Sequence, residues 1–305
     1  YVLPTSVESL EWWLRVGRIL LRGGELNGNR LMTVGVAVLS PLTLTEMNGE
    51  FLLIACHNDL PVVPTVCPMA GTTSPYSKAG TLVLAHAENL FLAALTQMVR
   101  PGHPFMYAMG PSRTDMRSGE DMYYTLDKVL WKVAGVQLGK FCGIPTTAEC
   151  GGTMSPRYDV QAGAEGMLFM LSAYLSGADM LAGIGSCCNA VGMSGEMMLL
   201  QTAWLEAAEF LSRGVELEGR LGVESIKSAG PGGHFLEDEM TLRFLRSKEF
   251  FPGGLFDYGG GPSMLERAHR RAEELLAGFV QPHPEEVREE LRRFFREEYA
   301  GLRST

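Results

Sequence analysis

The chain has 305 residues, 46% of them hydrophobic, and a net charge of −9 from 26 basic and 35 acidic side chains. This size and apolar content suit one large domain, and α/β barrels of a single domain commonly reach this length. Mixed charges without a basic block exclude the electrostatic footprint of a nucleic-acid-binding protein, and no uninterrupted apolar run reaches the ~20 residues that cross a bilayer. We therefore predict one soluble, cytoplasmic domain over residues 1–305, without nucleic-acid or membrane partners.

Short apolar runs that end in Gly, Pro or Ser alternate along the chain with longer runs of helical period. The strand predictions cover residues 31–41, 60–71, 103–112, 144–152, 178–186 and 224–233. Helices are predicted over 78–99 and 159–177, among the runs that follow these strands. The strand runs are apolar throughout, which is typical of parallel strands buried on both faces.

This βα repetition predicts an α/β fold, specifically a (β/α)8 TIM barrel. With Tyr1–Leu3 as the end of another strand, seven strands are present, one fewer than a closed barrel needs. We expect the first strand to precede Tyr1. A doubly wound open sheet is the alternative, weakened by the lack of a G-x-G-x-x-G turn. From about residue 263, two amphipathic helices are predicted, whose charges form a solvated face.

Reactive side chains of a parallel barrel lie where strands end. Glu149 is the only carboxylate at such a position, where an unpaired charge is unfavourable. It is therefore either functional or paired with a loop arginine. His234 follows Gly-Pro-Gly-Gly, a sequence that lets the backbone approach a ligand closely. The alternative is a structural histidine.

Three segments carry a resemblance to a known family. They read "LPVVPTVCPMAGTTSPYSKAGTLVLAHAENL", "LSGADMLAGIG" and "GPGGHFL", in this order. They resemble the trimethylamine methyltransferase superfamily of corrinoid-dependent methyltransferases, over about residues 1–258. The resemblance implies a (β/α)8 barrel longer than this chain, so that the chain lacks an N-terminal helical region and the first strand. It also implies transfer of a methyl group from an amine to the cobalt of a separate corrinoid protein.

The loop after the strand "IPTTAEC" separates the branches of that superfamily. The trimethylamine branch carries pyrrolysine there, whereas residues 149–161 read "ECGGTMSPRYDVQ", without any lysine. The chain therefore resembles the branch that demethylates quaternary amines such as glycine betaine. A quaternary ammonium leaves as a neutral amine, so cobalt(I) displaces it directly. The enzyme's task is then positioning and exclusion of water.

The site predictions follow from this chemistry, because a quaternary ammonium has no N–H and is recognised by aromatic faces and a carboxylate. The catalytic candidates are His234 and Glu149. The substrate-binding candidates are Tyr107, Phe235, Phe256, Tyr258, Arg113 and Met69. The candidates for meeting the corrinoid are Gly232, Gly233 and Met109. Each has a structural alternative, in the core for the aromatic rings and in solvent for the arginine.

Two other functions stay open. Cys187 and Cys188, with Cys150 and His234, would suit a zinc–thiolate site, as in zinc-dependent thiol methyltransferases. A non-catalytic betaine-binding or scaffold subunit is the third reading. The favoured reading implies no metal and no tightly bound cofactor, only a corrinoid (cobalamin) presented by a partner protein; a homo-oligomer is compatible with it.

Overall fold

A computed structural model describes residues 1–26, 31–256 and 258–302. The helices are α1 (Val7–Leu20), α2 (Glu46–His57), α3 (Lys78–Val99), α4 (Asp127–Phe141), α5 (Val160–Leu175), α6 (Gly195–Ser212), α7 (Val223–Ala229), α8 (Glu239–Phe244), α9 (Met264–Ala277) and α10 (Glu285–Leu302). The strands are β1 (Val34–Val38), β2 (Val62–Val66), β3 (Met69–Ala70), β4 (Ser112–Thr114), β5 (Asp121–Met122), β6 (Thr147–Glu149), β7 (Met180–Ala182), β8 (Ser186–Cys187) and β9 (Gly192–Met193). The α/β class predicted from the sequence is confirmed.

Parallel pairing joins the strands in chain order. β1 pairs with β2 over five residues, from Val34 opposite Val62 onward, and β6 pairs with β7. Single parallel bridges extend this run, joining Val2 to Val34, Val62 to Phe105 and Tyr107 to Thr146. Helices pack on the outside of this run, with α2 on β1, α3 on β2 and α4 on β6. In the described part of the chain these pairings form an open parallel run from Val2 to β7 and do not close, so a TIM barrel is not shown.

The last predicted strand, over residues 224–233, is wrong. These residues form helix α7 and the turn after it, and glycines with positive φ stand at both ends, Gly222 at 62° and Gly230 at 63°. The sequence Glu-Ser-Ile-Lys-Ser-Ala contains several helix formers. None of the described strands pairs with this segment, so a strand here would leave its backbone hydrogen bonds unmade. Residues 103–112 do not form a continuous strand either. Phe105 and Tyr107 each make a single parallel bridge, and Ser112 begins β4.

Two hydrophobic clusters form the core. The first lies between β1, β2 and helices α1 to α3, and includes the fully buried Val36, Phe51 and Val62. The second lies between α5, α6, β6 and α9, and includes Met170 and Ala208. Full burial of a Val, Phe or Met side chain contributes roughly 1.5–3 kcal/mol to the stability of the fold.

The two C-terminal helices are amphipathic, as predicted. α9 packs against α6, while α10 packs against α1 and buries Val287 and Phe294. Arg15 of α1 forms an ion pair with Glu298, and its guanidinium lies 4.5 Å from the centre of the Phe294 ring. Both ends of the described chain are thereby held together.

Helix α3 is the one described helix that is long and apolar enough to cross a membrane by length and composition. Core helices of soluble proteins meet the same criterion. α3 packs against α2, α4, β2 and β3, and it carries the fully buried Glu88. The Glu88 carboxylate accepts hydrogen bonds from Ser40 Oγ at 2.8 Å and from the Leu42 amide at 2.9 Å. These contacts hold one face of α3 against the rest of the domain.

Candidate functional site

A cavity of about 400 Å³ lies along the inner side of the parallel strands. Its walls come from residues 1 and 3, strand β2, residues 108–110, and strands β6 and β7. Tyr1 lies on one wall and forms a hydrogen bond with Thr65 Oγ1 at 2.6 Å. Glycine at position 35 permits this approach, because a Cβ there would lie 2.5 Å from the Tyr1 hydroxyl oxygen. The cavity is large enough for a small organic molecule.

Glu149, the last residue of β6, faces this cavity and is bound by two lysines from behind. Lys128 and Lys132 stand one turn apart on α4, with Nζ 3.2 Å and 2.9 Å from Glu149 Oε2. Lys132 also donates a 2.7 Å hydrogen bond to the Glu149 carbonyl oxygen. The Tyr123 hydroxyl donates to Oε1 at 3.1 Å. We call these four residues the Glu149 cluster.

Only the carboxylate side of the Glu149 cluster opens to the cavity. The Lys128 and Lys132 side chains are 0% and 3% exposed, against 24% for Glu149. The Lys128 ammonium lies 2.7 Å from the centre of the Tyr123 ring, a cation–π contact that screens it from the cavity. A molecule in the cavity therefore meets a carboxylate and a phenol ring before it meets either ammonium group.

Burial and charge act against each other on the pKa values here. Burial by itself raises the pKa of Glu149, but Lys128 and Lys132 outweigh it and hold the pKa at about 2. Burial lowers the pKa of Lys128 to about 8, partly offset by the carboxylate, and it lowers the pKa of Lys132 as well. With all three groups ionised, the cluster carries one excess positive charge.

The low pKa of Glu149 predicts an acid-sensitive contribution to stability. Because the folded-state pKa is about 2 against an ordinary 4.5, this contribution is present above pH 4.5 and is lost as the pH falls toward 2. Its size is about 3 kcal/mol by proton linkage. Denaturant unfolding between pH 6 and 2 measures it, with Glu149→Gln as the reference that lacks the titrating group. A stability difference between the two proteins that stays constant over this pH range would contradict the assignment.

Two of the residues proposed from sequence line the cavity, Glu149 and Met109. Tyr107, by contrast, points away from it: its side chain is 1% exposed, and its hydroxyl is hydrogen-bonded to His86 Nδ1 at 2.8 Å. Arg113 lies on β4, where its Nη1 is 3.6 Å from Asp127 Oδ2. Met69 lies on β3. The structure therefore does not bring these three residues to the cavity wall.

The remaining candidates lie in the second half of the chain. Gly232, Gly233, His234 and Phe235 follow α7 in an exposed turn, where Gly232 has φ 77° and the Phe235 side chain is 44% exposed. The other two aromatic candidates are Phe256 and Tyr258. Phe256 packs against the second core cluster and contacts the Phe251 ring, while Tyr258 is 77% exposed. The functional roles suggested for all of these residues stay predictions.

Sequence reasoning did not find Lys128, Lys132 or Tyr123. The available signal was the lysine pair in "DKVLWKVAGVQLG", where i and i+4 spacing puts both charges on one face of an otherwise apolar helix. The paired tyrosines of "DMYYT", three residues upstream of that helix, were a second signal. The partner of Glu149 is therefore a lysine pair from a helix and not the loop arginine named as the structural alternative.

The six cysteines are all free thiols. Cys67 opens to the cavity, and its burial among protein atoms raises its pKa to about 11, so the thiol is protonated at neutral pH. Cys187 and Cys188 lie at the turn of the β8–β9 hairpin. Within residues 1–26, 31–256 and 258–302, no three His, Cys, Asp or Glu side chains are grouped to bind one metal ion.

Comparison with known proteins gives consistent matches over nearly the whole chain. Glycine betaine methyltransferase of Desulfitobacterium hafniense (strain Y51) is 30% identical over 285 residues, covering 90% of this chain and 59% of that protein. Proline betaine:corrinoid methyltransferase of Eubacterium limosum is 25% identical, covering 83% and 54%. Trimethylamine methyltransferase MttB of Methanosarcina barkeri (strain Fusaro / DSM 804) is 26% identical, covering 85% and 51%.

The chain thus spans between half and three-fifths of the length of these relatives. The family model of trimethylamine methyltransferase (MTTB) matches residues 12–301. The resemblance read from the three sequence segments is confirmed, and the chain belongs to the trimethylamine methyltransferase (MTTB) family.

Proposed function

We propose that this chain forms the catalytic part of a methyltransferase, which moves a methyl group from a quaternary amine of the betaine type to the cobalt(I) of a corrinoid protein. The observation that carries the proposal is the Glu149 carboxylate, held ionised beside the Tyr123 ring at the wall of a small cavity. Family membership and the names of the relatives support the reaction class. We expect the open parallel run to belong to a (β/α)8 barrel, the fold that the family resemblance implies.

The cavity wall matches the chemistry of a trimethylammonium group. Such a group cannot donate a hydrogen bond and is bound by aromatic faces and by a negative charge. Glu149 supplies the charge, while Tyr123 and Tyr1 supply the rings. Because Lys128 and Lys132 keep Glu149 ionised, the attraction persists at every pH near neutrality. The residues of this chain bind and orient the donor and exclude water from it.

The excess charge of the Glu149 cluster narrows the substrate class. A simple tetraalkylammonium ion would add a second net positive charge to a buried site that already has one. A betaine carries its own carboxylate and enters the cavity as a neutral zwitterion. The electrostatics therefore favour a betaine over a purely cationic amine.

The corrinoid, when its protein docks, supplies the cobalt(I) nucleophile, and the C–N electron pair leaves with the nitrogen as a neutral tertiary amine. A corrinoid presented by a separate protein would face the mouth of this cavity from outside. Met109, at the cavity wall, fits the predicted contact with it. Gly232 and Gly233, in the turn after α7, are the other proposed contacts with the corrinoid, while His234 and Phe235 beside them are proposed to orient and bind the donor.

A direct assay tests the proposed function. We expect the purified protein to convert glycine betaine to dimethylglycine, detected by mass spectrometry, with loss of cob(I)alamin absorbance at the same rate. Tetramethylammonium at equal concentration is expected to react at least tenfold more slowly. Betaine binding without turnover would favour the scaffold alternative, and stoichiometric zinc with activity lost on chelation would favour the thiol methyltransferase.

A further inference from the structure

The turn of the β8–β9 hairpin has an unusual backbone. Cys188, Asn189 and Ala190 are consecutive, none is glycine, and their φ values are 50°, 53° and 66°. Side chains with a Cβ rarely adopt this left-handed region, and a run of three persists only where surrounding contacts impose it. The contacts that impose it centre on Asn189.

Asn189 makes four hydrogen bonds to two other segments. Its backbone amide donates to the Thr153 carbonyl oxygen at 2.8 Å. Its side-chain Oδ1 accepts the Tyr123 amide at 2.7 Å and the Tyr124 amide at 3.4 Å, and its Nδ2 donates to the Asp121 carbonyl oxygen at 2.6 Å. These bonds, which we call the Asn189 bridge, join the hairpin to the loop after β6 and to the end of β5.

The Asn189 bridge ends on the backbone of the residue that completes the Glu149 cluster. Tyr123 covers the Lys128 ammonium with its ring and donates its hydroxyl to Glu149 Oε1. That hydrogen bond is already 3.1 Å long, so a backbone shift of about 1 Å at Tyr123 would break it. The hydrogen bond from the Tyr123 amide to Asn189 Oδ1 therefore influences the hydrogen bond from the Tyr123 hydroxyl to Glu149 at the cavity.

We propose that Asn189 is a positioning residue for the methyl donor site, acting through Tyr123. The left-handed turn directs the Asn189 side-chain amide toward residues 121–123. That side-chain amide fixes the position of the Tyr123 ring relative to Lys128 and Glu149. Its effect on catalysis rests on the function proposed above, whereas its effect on the Tyr123 backbone does not.

Asn189→Gly is the variant that isolates the bridge. Glycine accepts the left-handed backbone and retains the amide bond to Thr153, so only the side-chain amide is lost. Hydrogen–deuterium exchange of the Tyr123 amide is expected to accelerate at least tenfold. Ser186→Ala is the matched control: it removes the 2.9 Å hydrogen bond that the neighbouring Tyr124 hydroxyl donates to Ser186 Oγ of the same hairpin, and exchange at Tyr123 is expected to stay unchanged. Unchanged exchange at Tyr123 in Asn189→Gly would overturn the bridge.

A double-mutant cycle tests the role in methyl transfer. We expect Asn189→Gly to lower kcat/KM for glycine betaine about tenfold, but less than twofold when Tyr123→Phe is already present, because the hydroxyl it positions is then gone. Independent, multiplying effects of the two changes would overturn the positioning role. A wild-type protein that protects the Tyr123 amide yet transfers no methyl group would refute the proposed function and still support the bridge.

Discussion

Replacing Glu149 by glutamine is expected to lower the free energy of unfolding at pH 7 by about 3–5 kcal/mol, because it leaves two buried ammonium groups without their counter-charge. Both lysine side chains are at most 3% exposed, so neither reaches solvent. The loss is expected to shrink as the pH rises toward 8, because Glu149 offsets part of the burial that lowers the Lys128 pKa to about 8. Without Glu149, folded Lys128 releases its proton at a lower pH than in the wild type, while the unfolded chain still holds it. Denaturant unfolding at pH 6, 7 and 8 measures both effects.

The same variant separates stability from function when it is combined with a second change. Lys128→Met with Glu149→Gln removes the repulsion between the lysines and leaves one buried ammonium group, Lys132, which still donates to the carbonyl oxygen of residue 149, so we expect part of the lost stability to return. Methyl transfer is expected to stay at least 100-fold below wild type, about 2.7 kcal/mol of barrier, because the anion facing the substrate is still missing. Recovery of transfer together with stability would show that Glu149 is structural only.

A carboxylate whose partner is exposed provides the comparison for Glu149. Glu196 forms a 2.8 Å ion pair with His269, whose side chain is 60% exposed. Glu196→Gln is expected to change stability by less than about 1 kcal/mol, since exposed pairs are screened by water. It is also expected to leave methyl transfer at the wild-type rate.

His234→Ala is expected to lower kcat/KM for methyl transfer by about 30- to 1,000-fold, if the turn after α7 orients the donor as the sequence predicts. That turn is exposed, so the variant is expected to melt at the wild-type temperature. Phe235→Ala is expected to weaken binding of a betaine more than binding of its neutral tert-butyl analogue, because a cation–π contact is lost with the ring. Thermal melts and transfer to cob(I)alamin measure these effects.

A second exposed histidine serves as the control for His234. His283 lies in the loop between α9 and α10, outside the cavity and outside the turn. His283→Ala is expected to retain wild-type transfer. Equal, wild-type activity in both histidine variants would show that His234 is a surface residue and that the glycine turn is architecture alone.

Local sequence was sufficient for most helices and strands. Helix α3 spans residues 78–99 as predicted, since its start is set by the Ser77 cap and its sequence contains no proline before Pro101, just after its end. β1 and β2 follow from β-branched runs between turn residues. Glu149 was also found from sequence, because a carboxylate at the end of an apolar strand needs a partner wherever the strand packs.

The tertiary structure alone decided what Glu149 meets and which candidates share a cavity. Lys128 and Lys132 are separated from Glu149 by about two to four turns of helix and a loop, so their convergence depends on how α4 packs on β6. Residues 224–233 end in Gly-Pro-Gly-Gly, as the other predicted strand runs end in turn residues, but a strand requires a neighbour for its backbone hydrogen bonds, and α7 satisfies those bonds within itself. Hydrophobic periodicity and turn residues act over a few neighbouring residues, so the elements they define could be predicted from the sequence. Charge pairing, strand pairing and the Asn189 bridge join residues far apart in the chain. Only the packing of the folded chain determines them.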